Sequence, residues 1–239
     1  MVTPVEAIFL RAQQAWIERA VPPYESFQIA CAQTFLKDRC EPGEIVEFTV
    51  RASDGRTFAQ TIATATTPSR ILLHGDYITG PDGTPLGFYR ALPTKPGGIV
   101  PTPPPNMAPD PLIPTIAVAT TIVTAYEIAL AGTEHIGTYA CDHLSLRPLA
   151  DPQRFALRDL WVDRATGNVV QLTYAHDFGN GRYGTVEYRF APEGPHQYWT
   201  IVHIEADSPA GSDYGREHVA SDLDAIAFPL SVPTSDFTP

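Results

Sequence analysis

Histidines close to carboxylates are the groups in this 239-residue chain best able to do chemistry. His203 and Glu205 stand two apart, which on a strand puts both side chains on one face. His176-Asp177 and His218 fall in nearby hairpins or loops. Imidazole and carboxylate together form a donor set for Zn2+ or a related ion, and that set would suit a metal-dependent hydrolase. Against this, Val202 and Ile204 have the opposite parity and read as the core face, which leaves His203 and Glu205 on the solvated side. Two-residue spacing is weak evidence for a ligand pair. The expectation is therefore no catalytic residue, no metal ligand and no cofactor.

Other motifs lack the context their chemistry needs. Gly179-Asn180-Gly181-Arg182-Tyr183-Gly184 matches G-x-G-x-x-G by letter. A dinucleotide site needs a helix after the glycines, so that phosphate meets helix amides. Thr185-Val186-Glu187-Tyr188 reads instead as a strand, and Asn-Gly hairpin chemistry accounts for the glycines. Gly211-Ser212-Asp213-Tyr214-Gly215 has its serine off the position a nucleophile elbow requires. Asp163 precedes a turn and reads as its initiator.

The formal net charge is -11, from 27 acidic and 16 basic residues, with no basic run. Such a chain repels phosphate backbones, so nucleic acid is not an expected partner. Residues 113–132 are the best candidate for a membrane span. They contain Pro114, Glu127 and several threonines, which argue against spanning. No basic n-region and apolar h-region open the sequence, so no signal peptide is read there. Of the three cysteines, Cys31 and Cys40 are close enough to close a short loop, which would suit an oxidising compartment. The alternative is three free buried thiols.

The elements that would position these residues are mostly strands. Residues 3–20 read as an amphipathic helix with a Thr3/Glu6 capping box and Pro4 at its first position. Val5, Ile8, Phe9, Ala12, Trp16 and Ala20 form its apolar stripe. Phe27, Ile29 and Cys31, then Val46, Phe48 and Val50, alternate with polar neighbours. Asp54-Gly55 is a hairpin turn into residues 57–65, and shorter strands are expected over 70–75 and 87–92. A proline-rich loop occupies 92–114, and 114–121 has the pattern of a short helix. Strands are expected over 125–132, 137–146, 157–163, 169–175, 185–191 and 198–207, with a last one over 225–230. Thr166-Gly167-Asn168 and Asn180-Gly181 are turns between them. Val186, Tyr188 and Phe190 share one face.

The fold expected is mainly β (α+β), a single domain over 1–239. A curved antiparallel sheet or half-open barrel wraps around the N-terminal amphipathic helix. The stripe of that helix should pack into the concave side.

Two stretches carry a family resemblance. One is the opening helix with Trp16, followed by Pro22-Pro23-Tyr24 and long hairpins. The other is His143-Leu144-Ser145-Leu146-Arg147-Pro148-Leu149, then Leu157-Arg158-Asp159-Leu160-Trp161-Val162-Asp163 and Thr166-Gly167-Asn168-Val169-Val170. The second pattern resembles the strand–turn–strand of bacterial outer-membrane lipoprotein carriers (LolA-like) and of the related RseB sensor. The proline-rich 92–114 segment departs from that family.

The resemblance implies an exported, non-enzymatic envelope protein that holds an acyl chain or a lipoprotein in its concave face. The resemblance also implies an envelope protein as a partner. It carries over no individual residue. From the helix stripe and strand parity, the apolar face would be Trp16, Phe48, Leu172, Tyr174, Val186, Tyr188 and Phe190. Localisation would be periplasmic or otherwise extracytoplasmic, with the cytoplasm as the alternative. Two other functions stay open: a structural or sensor module of the envelope with a filled core, and a hydrolase using the His203/Glu205 region.

Overall fold

The computed structural model describes residues 2–33, 41, 43–51, 57–62, 70–71, 126–149, 156–212 and 215–233. The proline-rich loop 92–114, the short helix 114–121, the strand 87–92 and the Asp54-Gly55 turn lie outside the described residues.

The opening helix α1 spans Pro4–Glu18. Its capping box is complete: Glu6 N donates to Thr3 Oγ1 at 3.2 Å, and Thr3 N donates to Glu6 Oε2 at 2.6 Å. Two of the helix's otherwise orphan amides are thereby satisfied. Those bonds hold the Glu6 carboxyl below its ordinary value. Phe9, Ala12 and Trp16 are buried, with Val5 and Ile8 packed beside them. The helix ends earlier than its periodicity predicts. Arg19 is already extended, so Ala20 lies beyond the last turn and is exposed. Pro22-Pro23 then prevents any resumption.

Among the described residues, twelve strands follow in two antiparallel sheets that are not closed into a barrel. They are β1 (Tyr24–Ala30), β2 (Ile45–Arg51), β3 (Thr57–Ile62), β4 (Arg70–Ile71), β5 (Tyr126–Ile136), β6 (Tyr139–Pro148), β7 (Leu157–Asp163), β8 (Val169–Asp177), β9 (Tyr183–Glu193), β10 (Tyr198–Ser208), β11 (Glu217–Asp222) and β12 (Asp224–Ala227). A 3-10 turn, Cys31–Gln33, follows β1. One sheet has the order β12-β1-β2-β3-β4, and the other runs β11-β10-β9-β8-β7-β6-β5. The seven-stranded sheet is thus an uninterrupted meander in which each strand pairs with its neighbours in sequence.

Turn chemistry sets the hairpins. Asn180 (φ 56°) and Gly181 (φ 66°) both adopt left-handed backbone between β8 and β9, and a strand follows. A strand and not a helix follows the glycines, which removes the phosphate-binding reading. Asp163 Oδ2 accepts hydrogen bonds from Thr166 N at 2.9 Å and Thr166 Oγ1 at 2.7 Å, closing the turn after β7.

The two sheets meet where β11 passes into β12. Leu223 N donates to Val202 O at 2.9 Å, and the Leu223 side chain enters the core. Val202 can offer that carbonyl because it sits at a bulge. Ile201 pairs with Phe190 and His203 with Arg189, so β10 carries an extra residue between them. The bulge corrects one expectation from parity: Ile201 and Ile204 are the core residues, and Val202 is only half-buried. Strand β11 corrects another, since it places His218 in the sheet and not in a loop.

The core lies between the helix and the apolar faces of both sheets. It joins Phe9, Ala12 and Trp16 to Phe27, Val46 and Phe48 on one side and Leu160, Leu172 and Phe190 on the other.

Candidate functional site

The residues expected to line the concave face all enter one core cluster: Trp16, Phe48, Leu172, Tyr174, Val186, Tyr188 and Phe190. Strands β8 and β9 bring four of them side by side, because Leu172 pairs with Tyr188 and Tyr174 with Val186. The Tyr174 and Tyr188 rings lie 5.3 Å apart, and their hydroxyls share a 2.5 Å hydrogen bond. Trp16 meets Phe190 edge-on at 5.2 Å. Phe48 faces them from the five-stranded sheet, stacked on Phe27 at 5.3 Å.

The Trp16 ring is 4% exposed, yet its Nε1 has no hydrogen-bond partner among the described residues. Indole N–H groups usually find an acceptor when buried, because desolvation without compensation costs roughly 1–3 kcal/mol. One face of this ring carries a cation. The Arg19 guanidinium stands 3.6 Å from the ring centroid, and Arg19 Nη1 donates to Trp16 O at 2.6 Å. Glu25 is also buried on the inner side, where its Oε1 accepts from Thr200 Oγ1 at 2.5 Å. Sequence reasoning passed over Arg19, Glu25 and Thr200. For Glu25 a signal existed, since it shares parity with Phe27 and Ile29 on β1.

The histidines sort onto different faces. His176 is buried against the Tyr174 and Phe178 rings, so it is separated from the other candidates for a metal set. His203, Glu205 and Asp207 line the outer face of β10. His203 Nδ1 lies 2.6 Å from Asp222 Oδ1, and its Nε2 lies 3.8 Å from Glu205 Oε2. His218, opposite Asp207 on β11, contacts Asp207 Oδ1 through Nδ1 at 2.8 Å. That hydrogen bond raises the His218 pKa, helped by the charges of Asp207 and Glu205. One donor atom each from Glu205, Asp207 and His218 lie within 4.8 Å of one another.

The far end of the same face holds a third histidine. His143 is flanked by Glu134 Oε1 and Asp159 Oδ1, each at 2.9 Å, and stacks on Trp161 at 4.2 Å. Trp161 Nε1 also donates to Glu134 Oε1, at 2.7 Å.

Cys141 is a free thiol buried beneath this face, and burial raises its pKa to about 11. Cys31 is buried where β1 turns into the 3-10 segment, and Cys40 lies outside the described residues.

Fold and site together define a class: a mainly β protein with two open antiparallel sheets packed on one amphipathic helix. No family model matches the chain, and no curated protein matches it. Among solved structures the chain is similar to a LolA superfamily protein from Nitrosomonas europaea, with 12% identity over 99% of this chain and 98% of that one, at a TM-score of 0.38. It is also similar to a DUF1329 family protein from Desulfovibrio piger, with 13% identity over 98% of this chain and 97% of that one, at a TM-score of 0.39. At these TM-scores and identities the likeness assigns neither ligand nor partner. No described helix is long and apolar enough to cross a membrane.

Proposed function

We propose that this chain is a non-enzymatic binding protein that takes an acyl-bearing ligand between the opening helix and the inner faces of its sheets. The observation that carries the reading is the Trp16 indole N–H, buried with no acceptor among the described residues. A ligand that brings hydrocarbon and one carbonyl oxygen meets both needs. The hydrocarbon stays out of water, and the carbonyl accepts from Nε1. Such a ligand is an acyl ester or amide, as on a lipoprotein. A single domain over 1–239 and an extracytoplasmic location belong to the same proposal. The shared core of helix and both sheets supports the first.

A second reading is a structural or interaction module with a filled core. The burial of all seven expected lining residues favours it. Binding of a fluorescent diacyl lipopeptide separates the two. The carrier reading expects saturable binding to the wild type. Trp16→Phe keeps an aromatic ring and removes the N–H, and should weaken that binding about fivefold, corresponding to ~1 kcal/mol for one hydrogen bond. Trp16→Ala should lower stability by roughly 3–5 kcal/mol if the ring is packed on all sides, and by much less beside an open space. Absence of any binding by the wild type, with a strongly destabilised Trp16→Ala, would leave only the filled-core module.

A further inference from the structure

Among the described residues β5 pairs with β6 alone, so it is an edge of the seven-stranded sheet. The pairing shifts register between Leu130 and Gly132, and this bulge divides the strand in two. A side chain of β6 fastens each part. Before the bulge, Arg147 Nε donates to Glu127 Oε2 at 2.7 Å. Beyond it, Glu134 Oε1 lies 2.9 Å from His143 Nδ1. Guanidinium keeps its charge throughout, whereas imidazole is the side chain that changes charge between about pH 5 and 8. The two fastenings therefore differ in kind.

Three contacts of the His143 ring call for its charged form. Nδ1 faces Glu134 and Nε2 faces Asp159 Oδ1, each at 2.9 Å. A carboxylate only accepts, and only imidazolium has an N–H at both ring nitrogens. The ring also lies nearly parallel to the Trp161 indole, 4.2 Å away, where a cation is favoured. Uncharged donors hold the two carboxylates in place. Trp161 Nε1 donates to Glu134 Oε1 at 2.7 Å, and Thr173 Oγ1 donates to Asp159 Oδ2 at 3.0 Å. Among the described residues, Glu134 from β5 and Asp159 from β7 are the charged groups that face the ring. On β6 itself Cys141 and Arg147 share its face, and Arg147 is engaged with Glu127. Asp163, opposite Cys141 on β7, is engaged with Thr166.

We infer that protonated His143 is a latch on the part of β5 beyond the bulge, residues 132–136, and that this part loosens as pH rises. In the neutral ring one nitrogen turns a lone pair on a carboxylate, and the indole loses its cation. The contacts are complete only with the charged ring, so the fastening is present in mildly acidic solution and fades as the ring gives up its proton. Below the carboxylate range Glu134 and Asp159 take up protons, and the latch weakens again. The loosened part uncovers the small cluster of Cys141, Trp161 and Val170, against which Ile136 packs. The part held by Glu127 and Arg147 stays closed.

The test is amide hydrogen exchange of the full chain, read at residues 132–136 and 127–130, with native-state alkylation of Cys141 as a second readout. Each rate is taken as a ratio of His143→Gln to wild type at one pH, which cancels the intrinsic pH dependence of exchange and of the thiol. Near pH 5.5 the ratio at residues 132–136 and at Cys141 should be about three- to fivefold, the scale of a partly exposed charged pair, and near pH 8.5 it should approach one. Residues 127–130 should show no such trend. Glu134→Gln alters an exposed side chain and should give the same ratios by itself, which keeps the test open should the His143 variant fold poorly. In the Glu134→Gln background His143→Gln should have no further effect on residues 132–136, since no carboxylate of β5 is left for the ring to hold. His135→Gln, an exposed neighbour on the same strand, should change nothing. Ratios that are equal at the two pH values, or an effect of His143→Gln that persists in the Glu134→Gln background, overturn the inference.

Discussion

Asp163 shows how a single side chain can be read correctly from its neighbours alone. An aspartate just before Thr166-Gly167-Asn168 reads as a turn initiator, and its carboxylate does accept from the Thr166 amide and hydroxyl. Burial pushes its pKa up, but the hydrogen bonds from Thr166 and the Ala165 amide outweigh that, and the net shift is downward. A lowered folded-state pKa means the stabilisation is full above the ordinary carboxylate range and is lost as pH falls through the lowered value. Asp163→Ala should therefore cost about 1–2 kcal/mol near neutral pH. In urea melts the difference from wild type should shrink as the solution is acidified through the carboxylate range. The cysteines are less legible, because a short loop between Cys31 and Cys40 is compatible with a bridge or with two thiols. We expect the bridge. Alkylation of the denatured, unreduced chain followed by intact-mass analysis should show one modified thiol, Cys141, and three modified thiols would exclude a bridge. In the native state Cys141 should react slowly, since burial raises its pKa to about 11 and hides it from reagent.

Among the elements, strands with undisturbed alternation were readable and those with interruptions were not. β1 alternates strictly, β2 does so apart from the buried Thr49, and β9 does so up to Phe190; their inner residues Phe27, Phe48 and Tyr188 are where parity puts them. In β10 the bulge at Val202 shifts the faces by one residue, a change set by the pairing partner and invisible along the strand itself. β11 was missed because Glu217-His218-Val219-Ala220-Ser221-Asp222 has little strand propensity and is held by tertiary pairing with β10. The glycines of the β8–β9 hairpin separate two physical needs. Gly181 sits at φ 66° with open space around it, whereas a Cβ on Gly184 would come within 2.0 Å of Asp207 O and 2.8 Å of the Phe178 ring. Gly181→Ala should cost about 1–2 kcal/mol from left-handed backbone alone. Gly184→Ala should cost about 3 kcal/mol or more, since β9 and β10 must separate to admit it. Denaturant midpoints of the two variants measure the contrast directly, and equal midpoints would contradict it.

For the molecule as a whole, a mainly β architecture around one helix was legible, because consecutive hairpins imply a meander and a meander needs cover for its apolar face. The crossing of β12 from the end of the second sheet to the edge of the first was not, since it depends on pairing with β1, far away in sequence. The apolar residues of the candidate site were recoverable from period-two patterns. The Trp16 N–H without an acceptor among the described residues was not, because whether an indole finds an acceptor is decided only once distant strands are in place. That same β12–β1 pairing, Ser26 with Ala227, has a consequence for the order in which the protein comes together. β5 to β11 need only sequential hairpins, so their sheet can assemble as it emerges from the ribosome. The edge of β1 that β12 covers must wait until residue 227 has been made. During that interval β1 presents unpaired amides and carbonyls to any passing strand. β12 is therefore a late clasp, and the interval before it closes is the period in synthesis when this chain is most exposed to misassembly.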